Sequence, residues 1–184
     1  MDIIQGTTEF HISQPTAICI GKFDGVHSGH KKLLERVVKQ RDNGLLPVAF
    51  TFDLPPEELF SGVHNDELCT HSEKYASLEK LGIELVIEYP VNMDTASVSP
   101  EDFIENILIE KLNMKYIAAG PDISFGKGGA GDRRLMEEYG KKYGYKVDII
   151  KKLTLDGSDI SSSRIRQAIK DGDVRLAERM LGRE

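Results

Sequence analysis

At 184 residues, with 40% hydrophobic and 29% charged positions and a net charge of −6, the chain is long enough for one well-filled core and lacks the basic excess of a general nucleic-acid binder. Two cysteines, Cys19 and Cys69, are too few for a disulfide framework, and no apolar run reaches membrane-spanning length. The amino terminus, "MDIIQGTTEF", has neither the basic stretch nor the apolar stretch of a secretory signal. A soluble, cytoplasmic protein is therefore expected, with no nucleic-acid and no membrane partner; nothing in the residues sets an oligomeric state.

The first strand-like run is "TAICIGK" (16–22), whose Cys19 reads as a buried free thiol. Residues 30–41 follow at helical spacing, with Leu33, Leu34, Val37 and Val38 on one face. Then come a second run, "LPVAFTF" (46–52), a helix over 71–81 and a third run, "ELVIEY" (84–89). "SPEDFIENILIEKL" starts a helix with Ser99 as N-cap, Pro100 at the first helical position and Asp102 three residues after the cap. Phe103, Ile104, Ile107 and Leu108 form its apolar face. "KYIAAG" (115–120), a more polar helix over 132–143 and "KVDIIKK" (146–152) complete the alternation. The tail reads as two short helices broken at "DGD", capped by Ser161 and Asp173.

Strands alternating with helices predict an α/β chain: a Rossmann-like, doubly wound parallel sheet of about five strands with a short helical C-terminal tail, all in one domain over 1–184. Ligands of such sheets sit beyond the carboxyl ends of the strands. Four unusual loops fall there: "GKFDGVHSGH" after the first strand, "DLPPEELF" after the second, "GPDISFGKGGAGD" after the fourth and "DGSDISSSRIR" after the last.

In the first loop, Gly21 and Gly25 allow tight turning and close approach of backbone to a ligand, and Gly29 does the same where the helix begins. His27 and His30, three residues apart beside unpaired helix amides, suit a polyphosphate. Zinc would need further ligands, and no nearby pattern supplies them. In the fourth loop, "GKGGAG" (126–131) mimics a dinucleotide fingerprint but follows the wrong strand, and Lys127 is not followed by the Ser or Thr of a Walker loop. It reads instead as a flexible loop closing over phosphates, or as a mobile hairpin.

"GKFDGVHSGH" resembles the H-x-G-H signature of the nucleotidyltransferase superfamily and, more narrowly, the FAD synthetase module of bacterial bifunctional riboflavin kinase/FMN adenylyltransferases. Further similarity runs through "FTFD" (50–53), residues 73–90, residues 120–132 and "ISSSRIRQAIKDGDVRLAERMLGR" (160–183). The resemblance implies transfer of AMP from ATP to FMN, giving FAD and pyrophosphate, with Mg2+ accompanying ATP and no protein metal ligand. It implies catalytic roles for His27, His30 and Arg164, with Arg166 the lesser candidate. ATP binding falls to Gly21, Phe23, Asp24, Gly25, Ser161 and Ser162. Flavin binding falls to Phe60, Asp122 and Phe125. The residues alone leave Asp24 and Asp122 open as turn braces, Phe60 and Phe125 as core, and the serines as a plain cap.

Three departures from the family pattern stand out. Leu54 and Pro55 replace a Pro-His pair after the second strand; Asp159 stands where a basic residue is common; and the chain ends at "LGRE", where relatives continue into a riboflavin kinase barrel. Riboflavin phosphorylation is thus expected to be absent. The departures also admit two other readings: a homologue that binds flavin or nucleotide with little turnover, or a nucleotidyltransferase for another phosphorylated acceptor.

Overall fold

A computed structural model describes residues 1–54, 59, 61–62 and 66–183. Six strands form its main sheet: β1 (Asp2–Gln5), β2 (Thr16–Ile20), β3 (Leu46–Phe52), β4 (Leu85–Tyr89), β5 (Met114–Ala119) and β6 (Lys146–Ile149), in the order β1-β4-β3-β2-β5-β6. Every pairing is parallel. The order turns back on itself between β2 and β5, so the loops after these two strands diverge and leave a crevice. All five expected strands are present. The sixth, β1, was missed: four residues pair with β4 alone, too short for a periodic signal.

The sheet's two faces differ in bulk. Ile18, Val48, Phe50, Ile87 and Ile117 point to one face and meet Phe103, Ile104, Ile107, Leu108 and Met136. Ala17, Cys19, Ala49 and Ala118 point to the other, where small side chains let Leu34 and Val37 of helix α1 (Ser28–Val38) come close. Helix α2 (His71–Lys80) adds Leu78 on this face. Alternation along each strand thus fills both layers, as a sheet covered on two sides requires. Cys19 is a buried free thiol, and burial lifts its pKa to about 12.

Helix α3 starts as expected, with Ser99 Oγ accepting from Asp102 N at 3.0 Å and Pro100 in its first turn (Pro100–Asp102). It then widens into a π-helical stretch (Phe103–Lys111) whose exit bond runs from Leu112 N to Ile107 O. No spacing rule announces that change, because the same apolar residues remain on the core side. Helix α4 (Arg133–Tyr143) is capped by Asp132. A small antiparallel hairpin, β7 (Thr154–Leu155) and β8 (Ser158–Asp159), precedes α5 (Ser162–Lys170) and α6 (Val174–Leu181). Ser161 caps α5 and Asp173 caps α6.

The fourth loop is tied down more than its glycines suggest. The loop is not free to close: Lys127 N bonds Val98 O at 2.7 Å, and a Cβ on Gly126 would lie 2.6 Å from the Pro100 backbone. Phe125 is buried against Phe103, with ring centroids 5.8 Å apart, and a side chain on Gly131 would strike its ring. Its ring packs in the core. Phe125→Leu should lower the unfolding free energy by about 1–3 kcal/mol in a urea titration and leave FMN affinity unchanged. A stable variant that has lost FMN binding would restore the flavin role.

Candidate active site

The first loop is built on strain. Phe23 and Val26 have φ of 52° and 41°, and Gly25 has 77°. A bulky and a β-branched residue held left-handed cost about 1–3 kcal/mol each, so the surroundings must enforce them. Phe23 is fully buried. Asp24 is bonded through both carboxylate oxygens: Oδ1 accepts from Leu68 N at 2.8 Å, and Oδ2 accepts from Arg166 Nη2. Gly25 N donates to Cys69 Sγ at 3.1 Å, and Ser162 Oγ donates to Asp24 O at 3.1 Å. A side chain at Gly25 would meet Leu68 and Leu181 as well as a forbidden φ. Gly21 extends the ladder from β2 to Phe50 O, and a Cβ there would sit 3.1 Å from the Phe23 ring.

This rigid turn delivers His27 as the N-cap of α1. Its Nδ1 accepts from His30 N at 3.3 Å, which leaves the ring proton on Nε2. One turn on, the His30 ring stacks on His27, with centroids 3.7 Å apart and planes 14° from parallel, and Phe23 meets it edge-on at 5.3 Å. A Cβ at Gly29 would lie 3.1 Å from His27 Cε1 and Nδ1. Gly29 thus leaves room for the His27 ring, and its backbone needs no left-handed φ. Burial pulls the His27 pKa down to about 4. Burial, with His27 alongside, holds His30 well below its ordinary value. Both imidazoles are neutral at pH 7, and His30 Nδ1 is buried with no hydrogen-bond partner among the described residues.

The pair opens into a cleft of about 210 Å3 at the switch between β2 and β5. Its wall includes His27, His30, Gly120, Asp122, Lys152 and Ser161. Of the residues singled out from sequence, His27, His30, Asp122 and Ser161 are thus brought together. Gly21, Phe23, Asp24 and Gly25 lie behind them as support. Arg164 goes elsewhere: its Nη1 donates to Leu155 O at 2.9 Å and Ser158 O at 2.8 Å, fastening the hairpin. Arg166, ranked below it, is the arginine that reaches the first loop, because two helix positions turn it away from Arg164. Phe60 and Pro55 lie outside the described residues.

Lys152 was missed. Its Nζ is 2.7 Å from Asp122 Oδ2 and 3.6 Å from Asp159 Oδ2, and the Asp122 carboxylate raises its pKa. The carboxylate at position 159 is thereby paired. The signal was available in "IIKK", a double lysine leaving the last strand on the edge where the loops converge. Among the described residues no three His, Cys, Asp or Glu side chains gather into a metal site, and no helix is long and apolar enough to cross a membrane.

The buried pair has a pH consequence. Each imidazole binds its proton less readily in the folded than in the unfolded chain, so the unfolded chain takes up more protons below about pH 6.5. Stability should fall as pH drops from about 6.5 towards 4 and be insensitive to these groups above that window. Proton NMR should show neither ring titrating above about pH 5; a ring titrating near its ordinary value would contradict the buried, neutral pair.

Comparison with known proteins bears on the same residues. The FAD synthetase family model matches residues 9–164. The bifunctional riboflavin kinase/FMN adenylyltransferase of Buchnera aphidicola subsp. Schizaphis graminum is 35% identical across 100% of this chain and 60% of its own length. Its Escherichia coli K12 counterpart is 34% identical across 90% of this chain and 53% of its own. The chain thus spans three fifths or less of these relatives. A crystal structure titled macrolide-efflux protein from Streptococcus pneumoniae superposes with TM-score 0.87 and 28% identity over 98% of this chain and 61% of that one. Pantoate-beta-alanine ligase from Francisella tularensis shares the fold, with TM-score 0.59 and 11% identity over 99% of this chain and 78% of that one. With the family model matching residues 9–164, and with the histidine pair set between strand and helix, the chain belongs to the FAD synthetase family.

Proposed function

We propose that this chain transfers the adenylyl group of ATP to FMN, forming FAD and pyrophosphate. A phosphate oxygen of FMN attacks the α-phosphorus of ATP; the bond from that phosphorus to the β-bridging oxygen breaks, and its electrons leave with pyrophosphate. The nucleophile is already an anion at pH 7, so no general base or covalent intermediate is needed. Magnesium comes with ATP as part of the substrate and neutralises its β- and γ-oxygens.

What remains for the protein is positioning and charge stabilisation. His27 presents a fixed Nε2–H donor, because its Nδ1 is occupied by the cap. His30 lines the same cleft with its ring stacked on His27. Both belong on the α-phosphate and the departing oxygen, where negative charge grows. The amides that open α5 after Ser161 offer further donors. Asp24 and Arg166 act from behind, holding the loop that carries the histidines. Phe60 remains the flavin-side candidate from sequence, and Asp122 contributes through Lys152.

The observation that carries the proposal is the stacked, neutral His27–His30 pair at the head of α1, opening into the switch-point cleft. Incubation of the protein with MgATP and either FMN or riboflavin, followed by chromatography, tests it. FAD and pyrophosphate should appear from FMN, with riboflavin untouched; unchanged FMN would overturn the reading. In the His27→Gln, His30→Gln double variant, turnover should fall on the order of 10³-fold, and a double variant with full activity would remove the histidines from the mechanism.

A further inference from the structure

We propose that Lys152 is the residue of this cleft that takes the β- and γ-phosphates of ATP, and that Asp122 and Asp159 hold its ammonium in place until nucleotide arrives. The inference rests on the adenylyl-transfer reading of the cleft and assigns the part of the triphosphate that the histidines do not take.

Position comes first. Lys152 leaves β6 on a backbone that is fixed on both sides: Ile150 N bonds Ala119 O at 2.8 Å, Lys32 Nζ donates to Lys151 O at 3.3 Å, and Ile160 N bonds Leu153 O at 2.9 Å. The residue lines the same cleft as His27, His30 and Ser161. Its stem therefore starts from a defined point on the wall and carries an ammonium with four carbons of reach.

Commitment comes second. Three other cations near the first loop are spent on structure. Arg164 serves hairpin carbonyls, Arg166 serves Asp24, and Lys31 Nζ donates to Leu181 O at 2.8 Å. Lys152 is held differently. Its side chain is 41% exposed, and the carboxylates of Asp122 and Asp159 are 65% and 53% exposed. Ion pairs in that setting contribute little, because water screens them and long side chains lose entropy in making them. Two of the three ammonium donors face carboxylates, and a third remains for an incoming oxygen. A triphosphate brings several charges to one place, and it can win the ammonium from two exposed carboxylates.

Asp159 alone would repel a polyphosphate at the mouth of the cleft. With Lys152 at 3.6 Å it instead keeps a cation waiting there.

Calorimetric titration of MgATP and of AMP into wild type, Lys152→Met and Lys152→Arg tests the assignment without relying on turnover. Lys152→Met should raise the Kd for ATP on the order of 10- to 100-fold, leave the Kd for AMP and the KM for FMN unchanged, and be largely rescued in Lys152→Arg. Asp159→Asn, which frees the ammonium and leaves the backbone alone, should tighten ATP. Wild-type ATP affinity in Lys152→Met, equal weakening of ATP and AMP, or weaker ATP binding in Asp159→Asn would each overturn the proposal. Lys152-dependent ATP binding without FAD formation in wild type would uphold this assignment while defeating the adenylyl-transfer reading. FAD formation with ATP affinity indifferent to residue 152 would do the reverse.

Discussion

His27 does two jobs with one ring, and the site depends on their compatibility. Its Nδ1 closes the first turn of α1 by accepting from His30 N, which fixes the tautomer and turns the ring so that His30 stacks upon it at 3.7 Å. A cap made by Ser or Asp would satisfy the same amide but would supply no imidazole. The stack has its room because position 29 has no Cβ, which would lie 3.1 Å from the His27 ring. A single glycine between two histidines thus links helix initiation to the chemistry of the cleft.

The turn before the cap is held from a distance in sequence. Left-handed Phe23 and Val26 persist because α5 and the 66–70 segment grip Asp24 and Gly25. Leu181 of α6 fills the space beside Gly25, and Lys31 ties the end of α6 back to α1. The helical tail is therefore a brace for the amino-terminal loop, about 140 residues away along the chain. That arrangement changes the reading of "SSSRIR". Ser161 lines the cleft and caps α5, Ser162 bonds the Asp24 carbonyl, and the two arginines hold structure on either side.

Much of this was legible because local rules and tertiary context agreed. The five β-branched runs became strands, and Ser99, Ser161 and Asp173 cap where spacing placed them. The misses share another cause. Strand β1 and the β7–β8 hairpin are too short to show a period, and the π-helical stretch of α3 keeps its apolar residues inward. Arg164 and Arg166 differ only in which side of α5 they leave, and Phe125 only in what surrounds it. Lys152 was hidden for the same reason: a lysine gains meaning from the carboxylates and the cleft that folding places around it.

On the proposed adenylyl transfer, His27 and His30 must stack in one orientation, and Gly29→Ala disturbs that geometry with little change elsewhere. Alanine should favour the helix by up to about 1 kcal/mol, so the urea midpoint should hold or rise. The added Cβ must push the His27 ring aside, and kcat/KM for FAD formation should fall by about 10²-fold. A Gly29→Ala protein that is equally stable and equally active would show that the ring geometry described here does not set the rate.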